Sequence, residues 1–112
     1  MGDQNWIINS SELRKILKAN PRSIFLLDVR EPEEFQECHI DGCTLIPLGE
    51  LSSRALRELN PEDDIVVYCA HGVRSMHALM GLKQLGFEKV RSLEGGIAHW
   101  SQEPKESEEE RA

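Results

Sequence analysis

Apolar positions along the chain fall into blocks whose period changes from block to block. Ile24-Phe25-Leu26-Leu27 and Ile65-Val66-Val67-Tyr68 are continuous apolar runs, the pattern of short parallel strands buried on both faces. Shorter runs at Trp6-Ile7-Ile8, Thr44-Leu45-Ile46 and Val90-Arg91-Ser92-Leu93 predict three further strands. Between them the spacing turns helical. Leu13, Ile16 and Leu17 share one face of a helix predicted from Ser10 to Ala19, and Leu51, Leu56 and Leu59 mark another before the break at Asn60-Pro61. Val73, Met76, Leu79, Met80, Leu82 and Leu85 predict a third, from Val73 to Leu85, and Pro32 opens a short acidic helix through about Glu37.

The ends of these blocks carry their own signals. Asn9 and Glu12 stand three apart, as in a capping box, with Ile8 and Leu13 placed as its hydrophobic staple. Asn20-Pro21 stops the first helix, and Gly86 is placed to end the one before it in a left-handed turn. Strands alternating with helices across short turns predict an α/β fold, with a mainly parallel central sheet and helices on both faces. Ligands of such sheets bind beyond the carboxyl ends of the strands. Asp28 and Cys69 end the two strongest strands.

Composition narrows the class. A chain of 112 residues is the size of one domain that can bury its own core. Thirteen Lys and Arg against twenty Asp and Glu give a net charge of -7, which speaks against a nucleic-acid surface built on phosphate contacts. No apolar run approaches the roughly 20 residues a membrane span needs, and the N-terminus lacks the basic and apolar segments of an export signal. Cys38, Cys43 and Cys69 are too few for a secreted disulfide framework and include no Cys-x-x-Cys pair, so a reducing cytoplasm is expected. Residues 1–102 are expected to form the domain. Residues 103–112, with five Glu and no apolar residue except Ala112, are expected to form an acidic, disordered tail.

The loop Cys69-Ala70-His71-Gly72-Val73-Arg74-Ser75 joins a buried strand to a helix. Successive amides there can turn inward around a sulfur, and the helix N-terminus adds its positive dipole end. Both favour a thiolate, the nucleophilic form of cysteine. Four residues separate Cys69 from Arg74, one fewer than in a Cys-(five residues)-Arg phosphatase loop. So compact a ring suits a single sulfur bound on Cys69 rather than a phosphate with three peripheral oxygens.

From Trp6 to about Trp100 the sequence resembles the rhodanese family of sulfurtransferases in its single-domain form. The resemblance rests on Asp28-Val29-Arg30-Glu31-Pro32-Glu33-Glu34-Phe35, His39-Ile40-Asp41-Gly42, Ile46-Pro47-Leu48, the Cys69 to Ser75 loop, and Leu93-Glu94-Gly95-Gly96-Ile97 with Trp100. It implies that Cys69 takes the outer sulfur of a donor such as thiosulfate as a persulfide and hands it to cyanide, a thiol or a protein sulfur acceptor. No metal or organic cofactor is implied. The amides of Ala70, His71, Gly72, Val73, Arg74 and Ser75 would hold the anion. His71 and Arg74 could attract an anionic donor, or Arg74 could tie the loop to an acidic neighbour. Asp28 and Arg30 are expected to support the loop, and Glu94 to pair with an arginine. His39 is expected to make a structural hydrogen bond, while His77 and His99 lie on predicted helices without a functional claim. Cys38 and Cys43 depart from the family pattern and leave open a disulfide or sulfur relay with Cys69.

Three functions compete: a sulfurtransferase, a sulfur-carrier or regulatory binding module with little turnover, and a phosphatase or arsenate reductase of the wider-loop kind. The short spacing from Cys69 to Arg74 counts against the last.

Overall fold

A computed structural model describes residues 5–102; the expected acidic tail lies outside the described residues, as do residues 1–4. The strands are β1 (Ile7–Ile8), β2 (Phe25–Asp28), β3 (Thr44–Leu45), β4 (Ile65–Tyr68) and β5 (Val90–Leu93). The helices are α1 (Ser10–Ala19), α2 (Pro32–Glu37), α3 (Leu48–Glu58), α4 (Val73–Gln84) and α5 (Gly96–Gln102), with one 3-10 turn at Pro21–Ser23. All pairings are parallel, in the order β1-β5-β4-β2-β3. The α/β architecture expected from the alternating periods is thus present, with β4 at the centre.

Each strand sends alternate side chains to opposite faces. Ile65, Val67 and Cys69 join Leu27, Val29 and residues of α3 and α4 in one buried cluster. Val66 and Tyr68 join Leu26, Leu93, Leu13 of α1 and Ile97 of α5 in another. Cys69 and its predecessor Tyr68 therefore face different halves of the core.

Helix ends follow the local chemistry. Glu12 N–H donates to Asn9 Oδ1 at 2.8 Å and Asn9 N–H to Glu12 Oε1 at 3.1 Å, so the capping box is complete. Asn20 N–H still donates to Ile16 O, and the Asn20 side chain then caps the turn that begins at Pro21. Helix α3 starts at Leu48, ahead of the first periodic leucine, after an N-cap Pro47 that offers no side-chain acceptor. Helix α4 ends at Gln84, one residue before the expected Leu85, where Gly86 turns the chain with φ +101°. No helix among the described residues is long and apolar enough to cross a membrane.

A cysteine nest at the end of the central strand

Cys69 follows β4 directly and is buried beside the first turn of α4. The Gly72 amide donates to its Sγ at 3.1 Å and the Ser75 amide at 3.2 Å, while Ser75 Oγ lies 3.5 Å away. Gly72 has φ +113°, a left-handed turn that folds its amide back over the sulfur and that glycine adopts without strain. Burial works against charge on the Cys69 sulfur. The Ser75 hydroxyl and the amides of Ser75, Gly72 and His71 outweigh it, holding the thiol below the ordinary cysteine range. The amides of Ala70, Val73 and Arg74, which the sequence assigns to the same ring, make no bond to Sγ.

The loop is held from outside by α5. Ile97 N–H donates to Cys69 O at 2.9 Å and Ala98 N–H to Ala70 O at 3.0 Å. These bonds fix the Cys69–Ala70 and Ala70–His71 peptides, the second of which carries the His71 amide that helps hold the thiol down. A Cβ on Gly96 would overlap the carbonyls of Cys69 and Ala70, and one on Gly95 would meet His99 within α5, so it is Gly96 that lets α5 come this close to the loop.

Arg74 is tied to an acidic neighbour. Its guanidinium grips Glu34 of α2 with two bonds of 2.9 and 3.0 Å. Arg74, helped by the Glu31 amide, holds the Glu34 carboxyl at about 2. His71 is exposed at the mouth of the loop.

Asp28 and Arg30 form a buried ion pair at 2.8 Å. Arg30 also donates to Cys38 O at 2.7 Å and lies over the Tyr68 ring. Tyr68 OH accepts from Ile40 N–H at 3.0 Å and donates to Cys43 Sγ at 3.3 Å. Arg30 thus ties the pair to Cys38, while Tyr68, the residue before Cys69, holds Ile40 and Cys43. Glu94 is exposed and pairs with no arginine among the described residues, because its strand end carries it outward. His39 makes the expected structural bond, Nδ1 to Phe35 O at 2.8 Å, and stacks on the Phe35 ring.

All three cysteines are free thiols. Cys43 packs against the α1 and α5 side of the sheet and Cys69 against the α3 and α4 side, so the sheet separates them. Burial pushes the Cys43 thiol up. One site residue was missed: Ser92 of β5, buried, with Oγ 2.7 Å from Ser75 Oγ. Its signal is a hydroxyl inside an otherwise buried strand, in register with Val67 two residues before Cys69.

Comparison with known proteins agrees with this geometry. The model of the rhodanese-like domain matches residues 9–103. A putative sulfur carrier protein, YrkF of Bacillus subtilis, is 44% identical over 79 residues, 70% of this chain and 42% of that protein. A sulfurtransferase of Allochromatium vinosum is 33% identical over 94 residues, 84% of this chain and 86% of that protein. The probable adenylyltransferase/sulfurtransferase MoeZ of Mycobacterium tuberculosis is 40% identical, and the match spans only 24% of its length. Among solved structures, the rhodanese-like domain of an Anabaena protein superposes with a TM-score of 0.80 at 30% identity, covering 89% of this chain and 74% of that one. A rhodanese-related protein from Thermoplasma volcanium gives 0.72 at 35% identity, covering 87% and 93%. With the family model matching residues 9–103 and a cysteine nest at the end of the central strand of a parallel five-stranded sheet, this chain belongs to the rhodanese-like domain family, which includes relatives named as a sulfur carrier and as sulfurtransferases.

Proposed function

We propose that the protein is a sulfurtransferase in which Cys69 carries the sulfur as a persulfide. The observation that supports this most directly is the pair of amide bonds to Cys69 Sγ, from Gly72 and Ser75, within a loop whose carbonyls are anchored to α5. The Cys69 thiolate attacks the outer sulfur of a donor such as thiosulfate. The donor's sulfur–sulfur bond breaks, sulfite leaves with the electron pair, and the enzyme holds Cys–S–S⁻. Cyanide or a thiolate then takes the outer sulfur, as thiocyanate or a new persulfide, and the Cys69 thiolate returns. No proton donor, oxidant or cofactor is needed at either step. The amides of Val73 and Arg74 open α4, where a helix offers no acceptor of its own, and they are the donors available to the second sulfur.

A second reading has its own support. Glu34 neutralises Arg74, and α2 adds Glu33 and Glu37 nearby in sequence, with Glu31 as its N-cap. A doubly charged small donor meets little attraction there, which favours sulfur delivered on a thiol or a protein, as in a sulfur carrier.

Intact mass separates the outcomes. Incubation with thiosulfate should add one sulfur, cyanide should remove it, and Cys69→Ser should abolish the gain. A protein loaded by an alkyl persulfide but not by thiosulfate would select the carrier reading. A serine variant that still gains sulfur would exclude Cys69, and hydrolysis of an aryl phosphate would overturn both readings.

A further inference from the structure

Within the nest, the hydroxyl protons are few and their acceptors are many. Ser75 Oγ lies 3.5 Å from Cys69 Sγ, 3.1 Å from Gly72 O and 2.7 Å from Ser92 Oγ. It has one proton to give. Gly72 O can only accept, and a Cys69 thiolate can only accept. Ser92 Oγ has no partner among the described residues other than Ser75 Oγ, and both serines are buried. A buried hydroxyl with one neighbour donates to it where it can, since an unspent donor in the interior is costly.

We infer that Ser92 is a positioning residue for the Cys69 site: it donates to Ser75 Oγ and so orients and polarises the Ser75 hydroxyl that serves the Cys69 sulfur. When Cys69 is a thiol, its own proton points at Ser75 Oγ and the Ser75 proton goes to Gly72 O. When Cys69 is a thiolate, the Ser75 hydroxyl turns toward Sγ while the Ser92 bond stays in place. Ser92 thereby fixes the Ser75 rotamer and, by donating to its oxygen, makes the Ser75 hydroxyl a stronger donor to the thiolate, neither of which an alanine at position 92 would do.

The placement follows from the fold. β5 lies beside β4 with Ser92 opposite Val67, and the two-residue alternation puts Ser92 on the same face as Val90, Val67 and Cys69. Helix α4 covers that face, and Ser75 stands in its first turn. The end of β4, the first turn of α4 and β5, three successive elements, therefore meet at one oxygen.

Ultraviolet absorbance of the thiolate, taken as the difference between the protein and its Cys69→Ser counterpart while the pH is raised, reads the Cys69 midpoint without requiring a reagent to enter the site. Ser92→Ala should raise that midpoint by roughly half to one unit, the scale of one neutral hydrogen bond. Ser75→Ala should raise it at least as far, and Ser92→Ala added to Ser75→Ala should then change nothing more. Ser92→Thr, which keeps the hydroxyl, should restore the parent's midpoint. An unchanged midpoint in Ser92→Ala, or an equal further shift in the Ser75→Ala background, would overturn the inference. Because the readout is proton loss, failure of sulfur loading would count against the proposed transfer reaction and leave this result standing.

Discussion

At Gly96 a single hydrogen in place of a side chain decides whether the Cys69 loop can form. Its φ of +62° is one that L residues adopt at a penalty, and an added Cβ would also meet the backbone of Cys69 and Ala70. Gly96→Ala should therefore lose about 1–3 kcal/mol of stability, read as a lower urea midpoint. It should also push the Cys69 thiol upward, because displacement of α5 releases the Ala70–His71 peptide, whose amide helps hold the thiol down. A variant that unfolds earlier but keeps the parent's thiol midpoint would show that α5 supports the fold without shaping the nest. The same thiol titration should leave Cys43 protonated while Cys69 ionises, since burial pushes one thiol up and donors pull the other down. Within one chain, surroundings rather than residue type set the reactivity.

Among the elements, α1 and α2 carry the clearest separate tests. Asn9→Ala removes a complete capping box and should lower stability by about 1 kcal/mol without altering the Cys69 thiol; a change in that thiol would reveal a longer-range link. Glu34, held at about 2 by Arg74 against an ordinary 4.5, has its folded value below its unfolded one. Its contribution is complete above about 4.5 and is lost as the pH falls toward about 2. Glu34→Gln should thus be less stable than the parent at neutral pH, with the gap closing on acidification; a gap independent of pH would contradict this. The elements themselves were legible in the sequence because periods of two and 3.6 are written locally. The capping box, the stop at Asn20-Pro21 and the turn at Gly86 each sit within a few residues of their effect. Arg74 and Glu34 are 40 residues apart, and Ser75 and Ser92 are 17 apart, so only sheet order brings them together. For the same reason the thiol and its loop could be picked out in advance, whereas the partner of Arg74, the role of Ser92 and the segment braced by Arg30 could not.

Across the whole molecule, the sheet divides the core into two clusters that meet only through the strands. Asp28 and Arg30 sit at one end of this divide, buried and bound to each other and to Cys38 O. Removing one partner would strand the other charge inside. Asp28→Ala should therefore cost roughly 3–5 kcal/mol, measured by denaturant unfolding, whereas Arg54→Ala, which breaks two helix-surface pairs, should cost far less. A comparable loss from both would mean that the buried pair has no special standing. The hold of α5 on the carbonyls of Cys69 and Ala70 also has a bearing on biosynthesis. A ribosome releases β4 and the cysteine loop before it releases α5, so for an interval Cys69 leaves the tunnel as an ordinary thiol. The loop gains its bonds to α5 only when that helix follows, so the surroundings of the reactive sulfur are completed after the sulfur itself has emerged.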